Sequence, residues 1–187
     1  MFFDPVYIVI MIATAGLGFW ASWRVKASFR KWSQVGSSSG MTGAEVAREI
    51  LRRSGVHDVE VERVEGFLSD HYDPRHKKLR LSPDVYDGTS VAAAGVAAHE
   101  VGHALQHANK YWPLQVRSYL APAAAFGGNI SMIVFGIGLA VGALGMAKLG
   151  VLLFALMVAF TLITLPVEFD ASNRAKALLP AMGVTRG

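Results

Sequence analysis

Hydrophobic and polar positions follow two different patterns along this chain of 187 residues. Residues 6–23 form an uncharged run of 18 residues, and the long stretch from Ala121 to Val167 contains a single charged residue, Lys148. Between Arg24 and Lys110, by contrast, charged residues are frequent and alternate with apolar ones. This division predicts a soluble lobe attached to membrane-spanning helices.

The run from Val6 to Trp23 is predicted to be a first transmembrane helix, because it would extend about 27 Å as a helix. A second apolar region, from about Asn129 to Leu165, is too long for one span. Its segment "LGMAKLG", residues 144–150, contains glycines and a lysine suited to a turn, so we expect two helices joined by a tight hairpin. The alternative for both regions is the buried core of a soluble protein.

The charges beside these spans predict their orientation. Asp4 precedes the first span, and basic residues follow it at Arg24, Lys26, Arg30 and Lys31. This asymmetry predicts that the N-terminus lies outside and the lobe in the cytoplasm. A hairpin starts and ends on the same side, so the segment after Pro166 should share that compartment. Its basic residues agree with this assignment: Arg174, Lys176 and Arg186.

The lobe begins with a segment typical of an amphipathic helix. In "MTGAEVAREILRRSG", Thr42 is a candidate N-cap, Glu45 follows three positions later, and Gly55 is a stop signal. The preceding "SSSG", residues 37–40, is expected to be the linker that frees the lobe from the first span.

After this helix the chain changes to strand patterns. The stretches "VEVERV" and "KLRLS" alternate apolar and charged residues on either side of a turn signal at Asp73 and Pro74, which predicts a small antiparallel sheet. The stretch "SPDVYDGTS" is expected to form a loop. Ser90 then caps a predicted helix from Val91 to about Ala108.

These elements predict an α+β membrane protein. It should be mainly helical, with about three transmembrane helices and a small zincin-like lobe that combines the Val91 helix with a short antiparallel sheet. The expected organisation is an N-terminal anchor at 1–35, a catalytic lobe at 36–120, a transmembrane hairpin at 121–166 and a C-terminal segment at 167–187.

Composition narrows the possible partners and cofactors. The net charge is +4, but the basic residues are dispersed and accompany no groove-reading or stacking motif, so we expect no nucleic-acid partner. The chain contains no cysteine, and any transition metal must therefore be held by His, Asp or Glu.

The stretch "AAHEVGHALQH", residues 97–107, contains an HExxH motif. On a helix, His99 and His103 project from one face and can both reach a Zn²⁺ ion at about 2.1 Å. Glu100 lies one position further round the helix and is suited to act as a general base. The alternative is a polar helix face turned toward water, but the small and apolar flanks favour burial, where ionisable groups need partners.

The third ligand is expected from another part of the chain. His107 lies about 12 Å along a continuous helix from His99 and cannot share the ion, so it is assigned a supporting or surface role. In "LPVEFDASNRA", Glu168 is the better candidate and Asp170 the weaker one. Ser172, one turn after Glu168, is expected to support the site without binding the metal. The alternative for either carboxylate is simple solvation at the membrane surface.

Several long stretches are similar to a known family. These are "FWASWRVKASFRKWSQV", "TGAEVAREIL", "DHYDPRHKKLRLSPDVY", "AAHEVGHALQH" and "EFDASNRA". Through them the chain resembles the bacterial zinc-dependent membrane peptidases of the YugP type over almost its full length. The resemblance implies that His99 and His103 bind zinc and that Glu100 is the catalytic residue.

The chain is also similar to the wider gluzincin pattern, in which a downstream helix supplies a glutamate in E-F-x-A-D. Here "EFDAS" matches the pattern at Glu168 and Ala171, whereas Ser172 stands where many relatives have Asp. The resemblance therefore supports Glu168 as the third ligand. Relatives usually continue into a further charged segment and apolar span, so a short or truncated member is expected.

The expected function is peptide hydrolysis at the cytoplasmic face of a bacterial inner membrane, with one Zn²⁺ per chain. Protein or peptide substrates, including membrane proteins, and the lipid bilayer are the expected partners. His71 or Tyr72 is a candidate donor for the oxyanion. The alternative function is a non-catalytic membrane scaffold in which zinc ties the last span to the lobe.

Overall fold

The structure, a computed structural model, describes residues 5–184, so Asp4 and Arg186 lie outside the described residues. The described part of the chain is mainly helical with one small sheet, as predicted. Its elements in chain order are α1 (Pro5–Ser33), α2 (Gly43–Arg53), β1 (Glu60–Arg63), β2 (His71–Asp73), β3 (Lys78–Leu81), α3 (Pro83–Tyr86), α4 (Val91–Ala108), α5 (Trp112–Ala140), α6 (Leu144–Leu178) and a 3-10 turn (Pro180–Met182).

Both predicted helix starts in the lobe are confirmed by their caps. Thr42 Oγ1 accepts a hydrogen bond from Glu45 N at 3.2 Å, and Glu45 Oε2 accepts one from Thr42 N at 2.8 Å. These two bonds satisfy backbone donors that the first turn of α2 cannot pair internally. Ser90 Oγ accepts from Ala93 N at 3.1 Å and begins α4 in the same way.

The sheet is mixed, which corrects the prediction of an antiparallel sheet. Its strand order is β1-β3-β2, with β2 antiparallel and β1 parallel to β3. The reason is that residues 71–73, which lead into the turn signal at Asp73 and Pro74, form a strand of their own. The chain reverses into β3 within residues 74–77, so β2 takes one edge of β3 and leaves the other edge to β1.

Two further predictions for the lobe are wrong. The stretch "SPDVYDGTS" is not entirely a loop, because Pro83 starts the short helix α3. Residues 37–40 do not free the lobe from α1. Ser37 N donates to Thr89 O at 2.9 Å, and Val91 N donates to Val35 O at 2.8 Å, so the segment after α1 is fastened to the start of α4.

The lobe has one apolar core, into which the end of the chain returns. Ile50, Leu81 and Val101 contribute from α2, β3 and α4, and Val184 from beyond the 3-10 turn is also fully buried. Burial of this kind contributes about 1.5 to 3 kcal/mol per large aliphatic side chain. The core therefore connects α6 to the lobe through the residues that follow it.

Helices α5 and α6 form the predicted hairpin, but the turn is not at "LGMAKLG". The reversal occurs at residues 141–143, where Gly142 adopts a φ of +69°, and residues 144–150 form the first turns of α6. A glycine in the left-handed region is the usual way to end a helix without steric cost. Both helices also extend further into the lobe than predicted, since each continues through an internal proline.

Both hairpin helices are long and apolar enough to cross a membrane. Only 11% of the most apolar window in each is buried, which does not fit the core helix of a soluble protein. The chain is thus suited to membrane association. The first predicted span falls within α1, a helix of 29 residues. That α1 crosses the bilayer stays a prediction.

Helices α4 and α6 approach closely at Gly102, inside the HExxH motif. A Cβ atom on Gly102 would lie 2.7 Å from the carbonyl oxygen of Ala171 and 3.0 Å from its Cα. Backbone atoms cannot move away as a flexible side chain can. A hydrogen at this position is therefore needed to bring α6 against the motif.

Gly102→Ala is expected to lower the free energy of unfolding by about 1 to 3 kcal/mol, because the added methyl overpacks the α4–α6 contact. Gly95→Ala on the same helix is the matched control, since nothing lies within 4 Å of its added Cβ. It should stabilise α4 by up to about 1 kcal/mol. Thermal unfolding of both variants in detergent tests this, and equal stability of the two would contradict the close approach.

Candidate metal centre

Helix α4 places His99 and His103 one turn apart with their rings close together. The ring centroids are 4.9 Å apart and the rings are nearly perpendicular, at 83°. The motif lies on a helix whose neighbouring residues, including Ala98, Val101 and Gly102, are buried against the rest of the lobe. His103 is buried and His99 half-buried. The spacing thus gives the paired imidazoles that the sequence predicts.

Glu168, on α6, lies beside the Nε2 atoms of both histidines. Its Oε2 lies 3.2 Å from His99 Nε2 and 3.5 Å from His103 Nε2. One ligand atom from each of the three residues lies within 4.8 Å of the other two, and no other such group occurs among residues 5–184. The structure therefore brings together the three residues predicted as metal ligands.

A series of hydrogen bonds begins at Nδ1 of His103, the ring nitrogen that faces away from Glu168. Gln106, which is fully buried, accepts through Oε1 from His103 Nδ1 at 3.0 Å. Its Nε2 donates to Val167 O and to Asp170 Oδ2, both at 2.8 Å. Arg174 Nε in turn donates to Asp170 Oδ2 at 2.6 Å. This arrangement leaves His103 Nε2 free to face a metal.

Asp170 thus supports the cluster instead of being merely solvated. Gln106 was not predicted as a functional residue. Its position three residues after His103 on a buried helix is a signal that would have identified it. An amide there can hold the imidazole in a single tautomer.

Ser172 contacts one of the two histidines. Its Oγ lies 3.2 Å from His99 Nδ1, so it supports the imidazole of His99 and not Glu168. The reason is helical geometry, because residues on α6 that are four apart lie on the same face and both meet α4. Each histidine thus has a polar neighbour at Nδ1 and Glu168 near Nε2.

Arg117 is a second residue at the site that was not predicted from the sequence. It lies on α5, and its Nη1 forms an ion pair with Glu168 Oε1 at 3.1 Å. The stretch around it, "PLQVRSY", carries no motif. Only the packing of α5 beside α4 and α6 reveals this contact.

Glu100 is buried beside the cluster and lines the same cavity. Burial raises the pKa of its carboxyl above the ordinary value, while positive charge on His103 and His99 would act in the opposite direction. Within the described residues, no hydrogen bond or ion pair engages this carboxylate. Its oxygens are therefore available to a water or a substrate.

The pKa of His103 is also displaced. Burial is the largest single influence and lowers this pKa, but contacts with Glu168, Glu100 and Gln106 together outweigh burial and the net shift is upward. A dication bound at Nε2 would reverse this preference, because a metal ligand must be unprotonated.

His107 lies outside the group of three converging ligand atoms. It is half-buried, and its Nδ1 lies 2.8 Å from the hydroxyl of Tyr72 on β2. Burial raises the pKa of Tyr72 to about 12. His71 Nδ1 lies 2.7 Å from Ser69 O. Both oxyanion candidates therefore already have polar partners, although both also line the cavity.

The cluster opens into a cavity of about 380 Å³. Its walls come from β2, α4, the first three turns of α5 and Glu168 of α6. Two neutral imidazoles and one carboxylate form a donor set that suits Zn²⁺, and three protein ligands leave a fourth position for water or substrate. Such a site can acidify a water next to a carboxylate base.

Comparison with known proteins agrees with this arrangement. The sequence model of the family described as "Putative neutral zinc metallopeptidase" matches residues 7–187. A protein of Bacillus subtilis (strain 168) named "Putative membrane protease YugP" is 48% identical over 181 residues, which covers 97% of this chain and 80% of that protein. No solved structure matches the chain significantly.

Proposed function

This chain belongs to the family described as "Putative neutral zinc metallopeptidase", and we propose that it is a membrane-anchored zinc endopeptidase. The observation that carries this proposal is the convergence of His99 Nε2, His103 Nε2 and Glu168 Oε2 in a cavity that Glu100 also lines. Two histidines, one glutamate and an adjacent carboxylate are the set that hydrolytic zinc sites use.

His99, His103 and Glu168 would hold one zinc ion per chain. When bound there, zinc supplies Lewis-acid chemistry, which acidifies a water and polarises a carbonyl group. Ser172 and Gln106 would fix the two imidazoles so that each presents Nε2.

Glu100 would act as the general base and then as the general acid. Its carboxylate takes the proton of the attacking water at one oxygen and later returns it to the leaving amine. Burial raises the pKa of the Glu100 carboxyl, so this group holds an abstracted proton more readily than an exposed glutamate would.

The substrate would bind along β2. This strand forms an edge of the sheet and lines the cavity, so an extended peptide can pair with its free edge by strand addition. The opposite wall comes from α5, one of the two candidate spans. Membrane proteins and their juxtamembrane segments are therefore the proposed substrates.

The proposed location is the bacterial inner membrane, with several spans and with the lobe in the cytoplasm. Basic residues cluster at the end of α1 that leads into the lobe, at Arg24, Lys26, Arg30 and Lys31. The hairpin returns α6 to the same side. Both features follow the tendency of cytoplasmic segments to carry positive charge.

Metal removal tests the function. Purified chain in detergent should cleave members of a panel of membrane and soluble proteins. Chelation should lower the rate by more than about 100-fold, and stoichiometric zinc should restore it. Calcium at the same concentration is the control, because it prefers six to eight oxygen ligands. A chain that binds one zinc but cleaves nothing across the panel would favour the scaffold alternative.

A further inference from the structure

Both oxygens of the Glu168 carboxylate are engaged, each by a different part of the chain. Oε2 faces the two histidines, whereas Oε1 forms an ion pair with Arg117 Nη1 at 3.1 Å. The Arg117 side chain is one-third exposed and lines the cavity, and Glu168 is its ion-pair partner within the described residues.

We propose that Arg117 is a positioning residue that keeps Glu168 a one-oxygen metal ligand. By holding Oε1, the guanidinium leaves only Oε2 to reach the metal. The inference rests on the proposed function, because it concerns the metal site on which that function depends.

The chemical reason lies in the two ways in which a carboxylate can bind a metal. With both oxygens, Glu168 would occupy the position that a hydrolytic zinc site leaves for water. Both side chains are partly buried, so the attraction between the guanidinium and the carboxylate is screened less than on an open surface and opposes the movement of Oε1 away from Arg117. Arg117 would thus preserve the open position as well as orient the ligand.

The backbone around α5 fixes where Arg117 can lie. Tyr111 N donates to Gln106 O at 2.9 Å, so the start of α5 is tied to the end of α4. Leu114, one turn before Arg117, is buried. The guanidinium therefore approaches the cluster from a helix whose first turns are held in place.

Arg117 and Arg174 both lie near the site but contact different carboxylates. Arg174 lies on α6 and reaches Asp170, which belongs to the hydrogen-bond chain behind His103. Arg117 lies on α5 and reaches the ligand itself. Loss of Arg117 should for this reason change how the metal is coordinated and not merely how tightly the helices pack.

The test uses the full chain in detergent, with Arg117→Met and Arg117→Lys. Zinc affinity is measured by competition with a chelator, and cobalt is substituted for zinc because its visible spectrum reports coordination number. Arg117→Met should bind zinc about 10- to 100-fold more weakly. At saturating cobalt its visible bands should weaken, as expected when coordination rises from four to five. Arg117→Lys should restore the wild-type spectrum, since one N–H donor suffices for the contact seen.

A double-mutant cycle separates positioning from a general structural effect. In a Glu168→Ala background, Arg117→Met should cause no further loss of zinc affinity, because its partner is already gone. Arg52→Met is the control, since Arg52 pairs with Glu49 on the exposed face of α2 and should leave zinc binding unchanged. If Arg117→Met does not fold, Arg117→Ala carries the same test under the same criteria.

The outcomes are distinct. Unchanged zinc affinity and an unchanged cobalt spectrum in Arg117→Met would overturn the inference, and so would a full additional loss in the Glu168→Ala background. Neither result would affect the proposed function. Failure of the wild-type chain to bind zinc would instead refute the proposed function itself.

Discussion

Glu100→Gln is expected to lower kcat for protein cleavage by about 10²- to 10⁴-fold while zinc stays bound. The loss corresponds to about 3 to 5 kcal/mol of transition-state stabilisation. An amide cannot take a proton from the attacking water, yet it has nearly the same shape as the carboxylate. Glu100 is not among the three converging ligand groups, so zinc content should be unaffected.

The measurement is a cleavage time course together with zinc analysis of the same sample. Glu65→Gln is the matched control, because the Glu65 side chain is 82% exposed and Glu65 does not line the cavity. It should cleave at the wild-type rate. If Glu100→Gln retains zinc and cleaves as fast as wild type, Glu100 is not the base and the mechanism is wrong.

Glu168→Gln should have its largest effect on metal affinity. The substitution removes the anionic ligand from a set of two imidazoles and one carboxylate, so zinc affinity should fall by more than the roughly 100-fold typical of a supporting residue. Activity at limiting zinc should disappear with it. Raising the zinc concentration should recover part of the activity, which distinguishes this variant from Glu100→Gln.

Asp170→Asn provides a graded comparison on the same helix. Asp170 acts on His103 only through Gln106, so this variant should lose about 10- to 100-fold in zinc affinity, less than Glu168→Gln. Equilibrium dialysis against buffered zinc measures both. Wild-type affinity in Glu168→Gln would remove Glu168 from the ligand set.

Local signals in the sequence predicted local structure well. The Thr42–Glu45 capping box and the Ser90 cap are confirmed because each depends on residues within one helical turn. The mixed sheet was not predicted, since the choice of partner for β1 depends on how the chain crosses between strands. The position of the hairpin turn was also wrong, because several glycines could have ended α5 and only packing selects Gly142.

The candidate site divides in the same way. The placement of His99, Glu100 and His103 on one helix follows from the helical repeat alone. The hairpin topology predicted that Glu168 lies on the same side of the membrane as these residues. Their convergence to within a few ångströms depends on Gly102 lying against Ala171, a contact between residues far apart in sequence.

The sequence by itself thus determined the motif, the helices that carry it and the apolar hairpin, because these depend on short-range periodicity and composition. Only the tertiary structure decided which side chains support the cluster. Gln106 and Asp170 behind His103, Ser172 behind His99 and Arg117 beside Glu168 carry no distinctive local pattern. Their contacts form where α4, α5 and α6 pack together, and this packing cannot be inferred from the sequence of one segment.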